Sequence, residues 1–486
     1  MLHDSAFLAD LQIISNPVDS SLKCSGEACP RHGPNIHTLN GFDITPESVT
    51  KPFVRARFIA PLGRNGELMQ TGEINVVPMV QNDRTVLEHL LKVLVADALA
   101  LGKSINLDSN EALLRLIPVL CAYFSREELI DLLGKKVTAR ILELHQLEVV
   151  QNIFLEGRLQ HLLHVFNAAH IPLMLFKGPA LAHTVYPNAA MRTYHDFDAF
   201  IHPSDMARAN QLLTQMGYVF YEEYRSNTID RHRTGYNYTL EQQDSWLKVE
   251  IELHTAPHPS EIGALFDIEA MWAKAQPITV LDKLALTMHP INHLLYLCWH
   301  YRFHSFTRLL WLYDLVVMLR SVGPELDWMA LIQAARQQQL ATTLYYCLSW
   351  CRDLFGVDIP REVFVRLRPP LISRLIVEHI AMPDIAEALV LSRMQTHRII
   401  AHRTMVDSPA GIFKVGLQTL FPPPTALARR YIDHSRLPVQ LYFLFYVVHP
   451  WLTLAKGCRY LLGNRRKGRR SKKQVSYHRA HQIREK

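Results

Sequence analysis

The chain reads as an α+β protein: a mixed sheet of short strands, framed by helices and embedded in a mostly α-helical protein. Two observations carry that expectation. Between residues 171 and 254, short apolar or alternating runs recur, parted by glycine and proline turns. On either side, apolar residues return instead at three- and four-residue steps, the period of an amphipathic helix.

The helical pattern begins at Thr85, with Val86, Leu87, Leu90, Leu91, Leu94 and Val95, and resumes from Leu142 to Phe166. Ile171 to Phe176 is an apolar run fit for a buried strand, broken by Lys177-Gly178-Pro179. Pro179 to Val185 reads as a helix with proline in its first turn. Asp196 to Ile201 is a second strand, and Pro203 to Met216 an amphipathic helix stopped by Gly217. Tyr218 to Glu222 and Gly235 to Leu240 look like further strands. Trp246 to His254 alternates, with Leu247, Val249, Ile251 and Leu253 on one face and Lys248, Glu250, Glu252 and His254 on the other. From Asp282 to Leu462 the pattern is helical, with breaks at Pro324, Pro360, Pro369-Pro370 and Pro422-Pro423-Pro424. The expected organisation is a weakly structured extension over 1–80, a helical region over 81–166, an α/β core over 167–262, a helical domain over 263–462 and a basic disordered tail over 463–486.

The length of 486 residues predicts two or three domains, and 49% hydrophobic with 20% charged residues is ordinary for a folded globular chain. The net charge of +7 is local: residues 465–486 hold ten Lys or Arg against Glu485 alone, which leaves the rest at −2. Basicity therefore gives no argument for nucleic-acid binding by the main fold. Seven cysteines in so long a chain suggest reduced thiols rather than a disulfide framework. The opening residues lack a signal-peptide pattern, so a cytoplasmic location is expected. Cys24, Cys29, His32 and His37 have the residue types of a zinc knuckle at the spacing of no strong finger pattern, and no metal site is read there. Leu437 to Ala455 holds no charged residue over 19 positions, close to a spanning length of about 20. Pro438, Gln440, His449 and Pro450 interrupt it, so a buried helix pair is expected instead.

Chemistry concentrates at Asp196 and Asp198. Two apart on a strand, they share a face about 6–7 Å apart, while Phe197 between them turns to the core. Carboxylates on one strand can share hard Mg²⁺ ions, and Glu250 or Glu252 from the alternating strand can supply a third. Such a cradle suits in-line attack on a nucleoside triphosphate, with two metals about 3.5–4 Å apart stabilising the attacking and leaving oxygens. Lys177-Gly178 at the strand-to-helix turn, together with Arg192, can meet the phosphates.

The series Phe176-Lys-Gly-Pro-Ala-Leu-Ala182, Tyr186-Pro187, Arg192, Asp196-Phe-Asp198, Gly217-Tyr218 and Glu252-Leu-His254 resembles the uncharacterised nucleotidyltransferase family, a bacterial branch of the DNA polymerase beta-like superfamily. His300-x3-His304-x3-Arg308-x2-Trp311-x2-Asp314 is similar to a helix these proteins carry after the core. The resemblance covers roughly residues 85–455. It implies a polymerase-beta-like core, with Asp196 and Asp198 as ligands of two Mg²⁺ ions. It prefers Glu252, just before Leu253-His254, as the third carboxylate. It also implies a nucleoside triphosphate as substrate, and the acceptor stays open among a small molecule, a sugar, a peptide and another protein. One departure is that Pro179, with neither hydroxyl nor N–H, stands where many relatives carry serine.

His300, His304 and Arg308, at four-residue steps, are expected on one helical face as a domain-junction or substrate-side surface rather than a zinc site. Trp311 and Asp314 are expected to pack and to bond helix to helix. Two rival readings stand beside the enzyme: a binding or assembly factor that keeps the cradle, and a membrane-surface protein of glycan-precursor metabolism that uses the basic tail against anionic lipid.

Overall fold

In a computed structural model of the chain, the described residues are 81–101, 105, 107, 110–220, 235–241, 248–257, 266–382, 384–391, 394–422, 427 and 443–455. The expectations for residues 1–80, the Cys24/Cys29/His32/His37 set among them, and for the basic tail lie outside these residues.

In chain order, the helices α1 (Gln81–Ala100) and α2 (Lys135–Ala168) lead into strand β1 (Met174–Leu175) and helix α3 (Gly178–Thr184). Strand β2 (Asp196–Phe200), helix α4 (Met206–Gln215) and strands β3 (Val219–Phe220), β4 (Gly235–Glu241) and β5 (Lys248–His254) follow. Strands β6 (Gln276–Val280) and β7 (Lys283–Thr287) close the α/β part. Helices α5 (Pro290–Phe303), α6 (Leu309–Val322) and α7 (Ala341–Phe355) come next, and α8 (Pro409–Leu420) lies further along. Shorter helices fill the intervals.

The strands form one mixed sheet in the order β3-β4-β5-β2-β1-β7-β6. The pairs β2–β5 and β1–β7 are parallel and the others antiparallel. Alternation decides which side each residue takes. Leu173, Leu175, Phe197, Ala199, Val249, Ile251 and Leu253 pack against Leu155, Leu159, Leu162 and Phe166 of α2 and Leu213 of α4. Met174, Phe176 and Phe200 turn the other way, into the core built by the C-terminal helices. The long α2 serves both cores, since its Ile141 and Leu144 belong to the helical one. Asp196 and Asp198 share Phe200's face, so the candidate site looks toward α5 and α6.

The structure corrects three expectations. The stretch from Asp282 is not helical throughout, because β6 and β7 form a hairpin that extends the sheet beyond residue 262. Its two-residue turn, Leu281-Asp282, has φ of 48° and 61° without any glycine to signal it. Second, His300, His304 and Arg308 do not ride one helix: α5 ends at Phe303, and α6 starts after Arg308. Ser305 and Phe306 between them adopt positive φ, and the Phe306 ring is driven between Tyr301 and Trp350, each 5.0 Å away between ring centres. Third, the described part of Leu437–Ala455, where a buried helix pair is expected, is largely exposed. Of that stretch residues 443–455 are described, with a helix over 444–455, and Phe443, Val447, Val448 and Trp451 all lie exposed. Among the described residues, no helix is long and apolar enough to cross a membrane.

Candidate active site

Because β2 and β5 run parallel and in register, Asp196 stands beside Glu250 and Asp198 beside Glu252, with Phe200 beside His254. Phe197, fully buried on the opposite face, anchors the strand. Asp198 is only 4% exposed, and its Oδ1 accepts a hydrogen bond from Lys177 Nζ at 2.9 Å. The Nε2 atom of His254 lies 3.6 Å from Asp198 Oδ1 and 3.6 Å from Glu252 Oε2. Neither ring nitrogen of this buried histidine makes a hydrogen bond. Asp198, Glu252 and His254 each offer a ligand atom within 4.8 Å of the others, the only such group among the described residues.

Four carboxylates thus line two neighbouring strands against one lysine and one histidine. Burial and the charge of Asp198 push the Asp196 carboxyl up to about 7. Burial would also raise Asp198, but the Lys177 ammonium and His254 outweigh it and hold this carboxyl well below its ordinary range. Glu252 is lowered as well: His254 and Lys177 overcome its burial and the repulsion from Asp198. Burial would depress the His254 imidazole, yet the two carboxylates beside it keep it above its usual value. Lys177, partly buried among the acids, stays charged, with Asp198 the largest influence after desolvation.

Lys177 reaches Asp198 from a backbone at φ 56°, a region that side chains rarely adopt and that costs about 1–3 kcal/mol. Gly178 follows for a packing reason. A Cβ there would come within 2.7 Å of the Tyr194 Cβ, so nothing larger fits. Gly178, Pro179 and Ala180 are all buried at the start of the seven-residue α3.

Arg192 is placed differently. Its Nε donates to Asp314 Oδ1 at 2.6 Å, its Nη2 to Asp314 Oδ2 at 2.9 Å, and its Nη1 to the Thr193 carbonyl at 2.7 Å. The Tyr186 hydroxyl donates to the same Asp314 Oδ1 at 2.7 Å. All three side chains are buried. This bidentate pair bolts the segment before β2 to α6, and it draws Tyr186, Arg192 and Asp314 of the quoted motifs into one structural knot.

His300, His304 and Arg308 do converge, around Trp311. The His300 and His304 rings lie 4.5 and 4.9 Å from the Trp311 ring centre, and the Arg308 guanidinium 4.9 Å from it. His300 is buried and held neutral, by burial first and then by the charges of Lys177, His304 and Arg308. His304 is lowered too, by burial first and then by the charges of Lys177 and Arg308, with Asp198 and Glu252 opposing.

Two residues went unassigned in the sequence. His254 was quoted within a motif but not as a ligand, although the alternation had already put it on the face of Glu250 and Glu252. Tyr296 of α5, buried against Phe176 and Phe200, closes the site from the helical side, and no sequence signal marked it.

The model of the family described as "Uncharacterised nucleotidyltransferase" matches residues 112–356, half of the chain. The chain belongs to this family. Its nucleotidyltransferase match spans the whole sheet and α5 to α7, with every site residue named above. Two solved structures overlap loosely with this nucleotidyltransferase. One is ANT(2'')-Ia in complex with adenylyl-2''-tobramycin, at 12% identity and a TM-score of 0.26, covering 37% of this chain and 97% of that one. The other is an antigenic nucleotidyltransferase-like protein from Paracoccidioides brasiliensis, at 15% identity and a TM-score of 0.28, covering 43% and 96%. No curated protein matches the sequence. The protein is a transferase of nucleotidyl groups with an α+β fold.

Proposed function

We propose that this nucleotidyltransferase moves a nucleoside monophosphate from a Mg²⁺-bound triphosphate to a hydroxyl or amine acceptor on the face of Asp196, Asp198 and Glu252. The observation that carries the reading is the register of β2 on β5, which aligns four carboxylates on two neighbouring strands, with Lys177 on Asp198. That surplus of negative charge around the buried Asp198, with the unsatisfied nitrogens of His254 beside it, fits a divalent cation. Asp196, Asp198 and Glu252 would hold two Mg²⁺ ions, and His254 would orient the carboxylates or ligate from behind. Bound there, Mg²⁺ supplies charge stabilisation for the attacking and leaving oxygens.

In the reaction, a bond forms from the acceptor oxygen or nitrogen to the α-phosphorus. The bond from that phosphorus to the oxygen bridging to the β-phosphate breaks, and pyrophosphate leaves with the electron pair. Glu252, partly exposed beside Asp198, takes the acceptor's proton. Lys177 is the cation positioned for the triphosphate. Arg192 acts at one remove: buried, and with three of its five donors on Asp314 and Thr193, it positions β2 instead of touching phosphate. Arg308, with His300, His304 and Trp311, forms the substrate side.

Calorimetric titration with each nucleoside triphosphate, with and without Mg²⁺, tests the reading. Binding should require Mg²⁺ and be lost in Asp196→Ala/Asp198→Ala. Undiminished Mg²⁺-dependent binding by that variant would overturn the site assignment.

A further inference from the structure

The C-terminal end of the described chain shows large apolar side chains where a folded protein usually hides them. Helix α8 has no buried residue at all, and Phe413 is 74% exposed, with Leu417 and Phe421 also open to solvent. The helix over 444–455 lies against it: His449 Nε2 sits 3.1 Å from the Thr419 carbonyl oxygen. This second helix exposes Val447, Leu454 and Trp451, the last at 72%. Single exposed apolar residues are ordinary, but two adjoining helices that both turn phenylalanine, leucine and tryptophan outward mark an interaction surface.

Charge indicates what covers it. From Pro409 to Ala455 the sequence contains one acid, Asp433, against Lys414, Arg429, Arg430 and Arg436. The chain then continues through Lys456 and Arg459 into residues 465–486, with ten Lys or Arg and one Glu. An apolar face followed by so many positive charges complements a surface that is apolar inside and anionic outside. Neither helix can span a bilayer, so the fitting geometry is a pair lying in the interface plane, apolar side chains in the acyl boundary and basic residues over the headgroups. We infer that α8 and the 444–455 helix form a membrane-surface element for anionic lipid bilayers, independent of the reaction assigned to the sheet.

The full-length protein is sedimented with vesicles of phosphatidylcholine alone and of phosphatidylcholine mixed with phosphatidylglycerol. The expected result is binding to the anionic vesicles, weakened about tenfold or more by Phe413→Glu/Trp451→Glu. Replacing Arg465, Arg466, Lys467, Arg469 and Arg470 by glutamine should cut it about a hundredfold at low salt. As a second readout, brominated lipid should quench wild-type tryptophan fluorescence more than that of Trp451→Phe, a change that keeps the helix intact. The inference is overturned if the glutamate variant, folded by circular dichroism, binds like wild type, since the tail alone would then suffice. It is equally overturned if the wild type ignores anionic vesicles and forms a dimer that Phe413→Glu/Trp451→Glu dissociates.

Discussion

Two buried ion pairs flank the segment between β1 and β2, and they differ in how completely they are satisfied. Arg192 and Asp314 form a closed knot: two donors on two acceptor oxygens, a third on a carbonyl, and the Tyr186 hydroxyl on the same carboxylate. Lys177 and Asp198 form an open one. A single lysine faces a carboxylate that has Asp196 on its own strand and Glu252 beside it, with an imidazole 3.6 Å away whose nitrogens make no hydrogen bond. Both pairs join residues of the quoted motifs, yet the second has far more capacity left for a cationic ligand. The difference teaches that a motif mixes residues that do chemistry with residues that hold them, and hydrogen-bond stoichiometry separates the two.

The sharpest way to break this contrast is at the closed knot. Asp314→Ala strands a buried guanidinium and should destabilise the fold by about 3–5 kcal/mol, read from denaturant unfolding and equal with or without Mg²⁺. At the open site the effect should fall on turnover instead. Glu252→Gln should lower the rate of pyrophosphate release about a hundredfold while the thermal midpoint stays within a degree or so of wild type. Next comes His254→Gln, expected to weaken the Mg²⁺ dependence of the rate about tenfold to a hundredfold, as loss of a group supporting metal ligands does. A last effect, of similar size, needs no catalysis: Mg²⁺ at about a hundred times its dissociation constant should stabilise the wild type by about 2.7 kcal/mol. Asp196→Asn should abolish that increment in a thermal melt, whereas Tyr186→Phe, in the closed knot, should keep it.

Much of the site was legible because strands report through alternation. Asp196, Asp198, Glu250 and Glu252 share one face by periodicity alone, and the pairing of β2 with β5 needed only to bring the two strands together. What was illegible depended on contacts across the chain. Arg192 looked like a phosphate ligand until Asp314, 122 residues away, took up its fork. Gly178 looked like a backbone approach to phosphate, and its reason is the Tyr194 side chain. The β6–β7 hairpin hid behind a Leu-Asp turn, and the α5–α6 break behind Ser305 and Phe306, because neither uses glycine or proline. The apolar run ending at Ala455 states that a surface must be covered but not by what, so an expected internal pair is in fact an external face.

If the open acidic site carries the reaction, label from a triphosphate must pass through it. The direct test incubates the full-length protein and cell extract with each α-labelled triphosphate and Mg²⁺, beside Asp196→Ala/Asp198→Ala. Wild type should give a labelled product, lost with chelator and lost in the double variant. Equal labelling by the double variant would contradict that role for the open site.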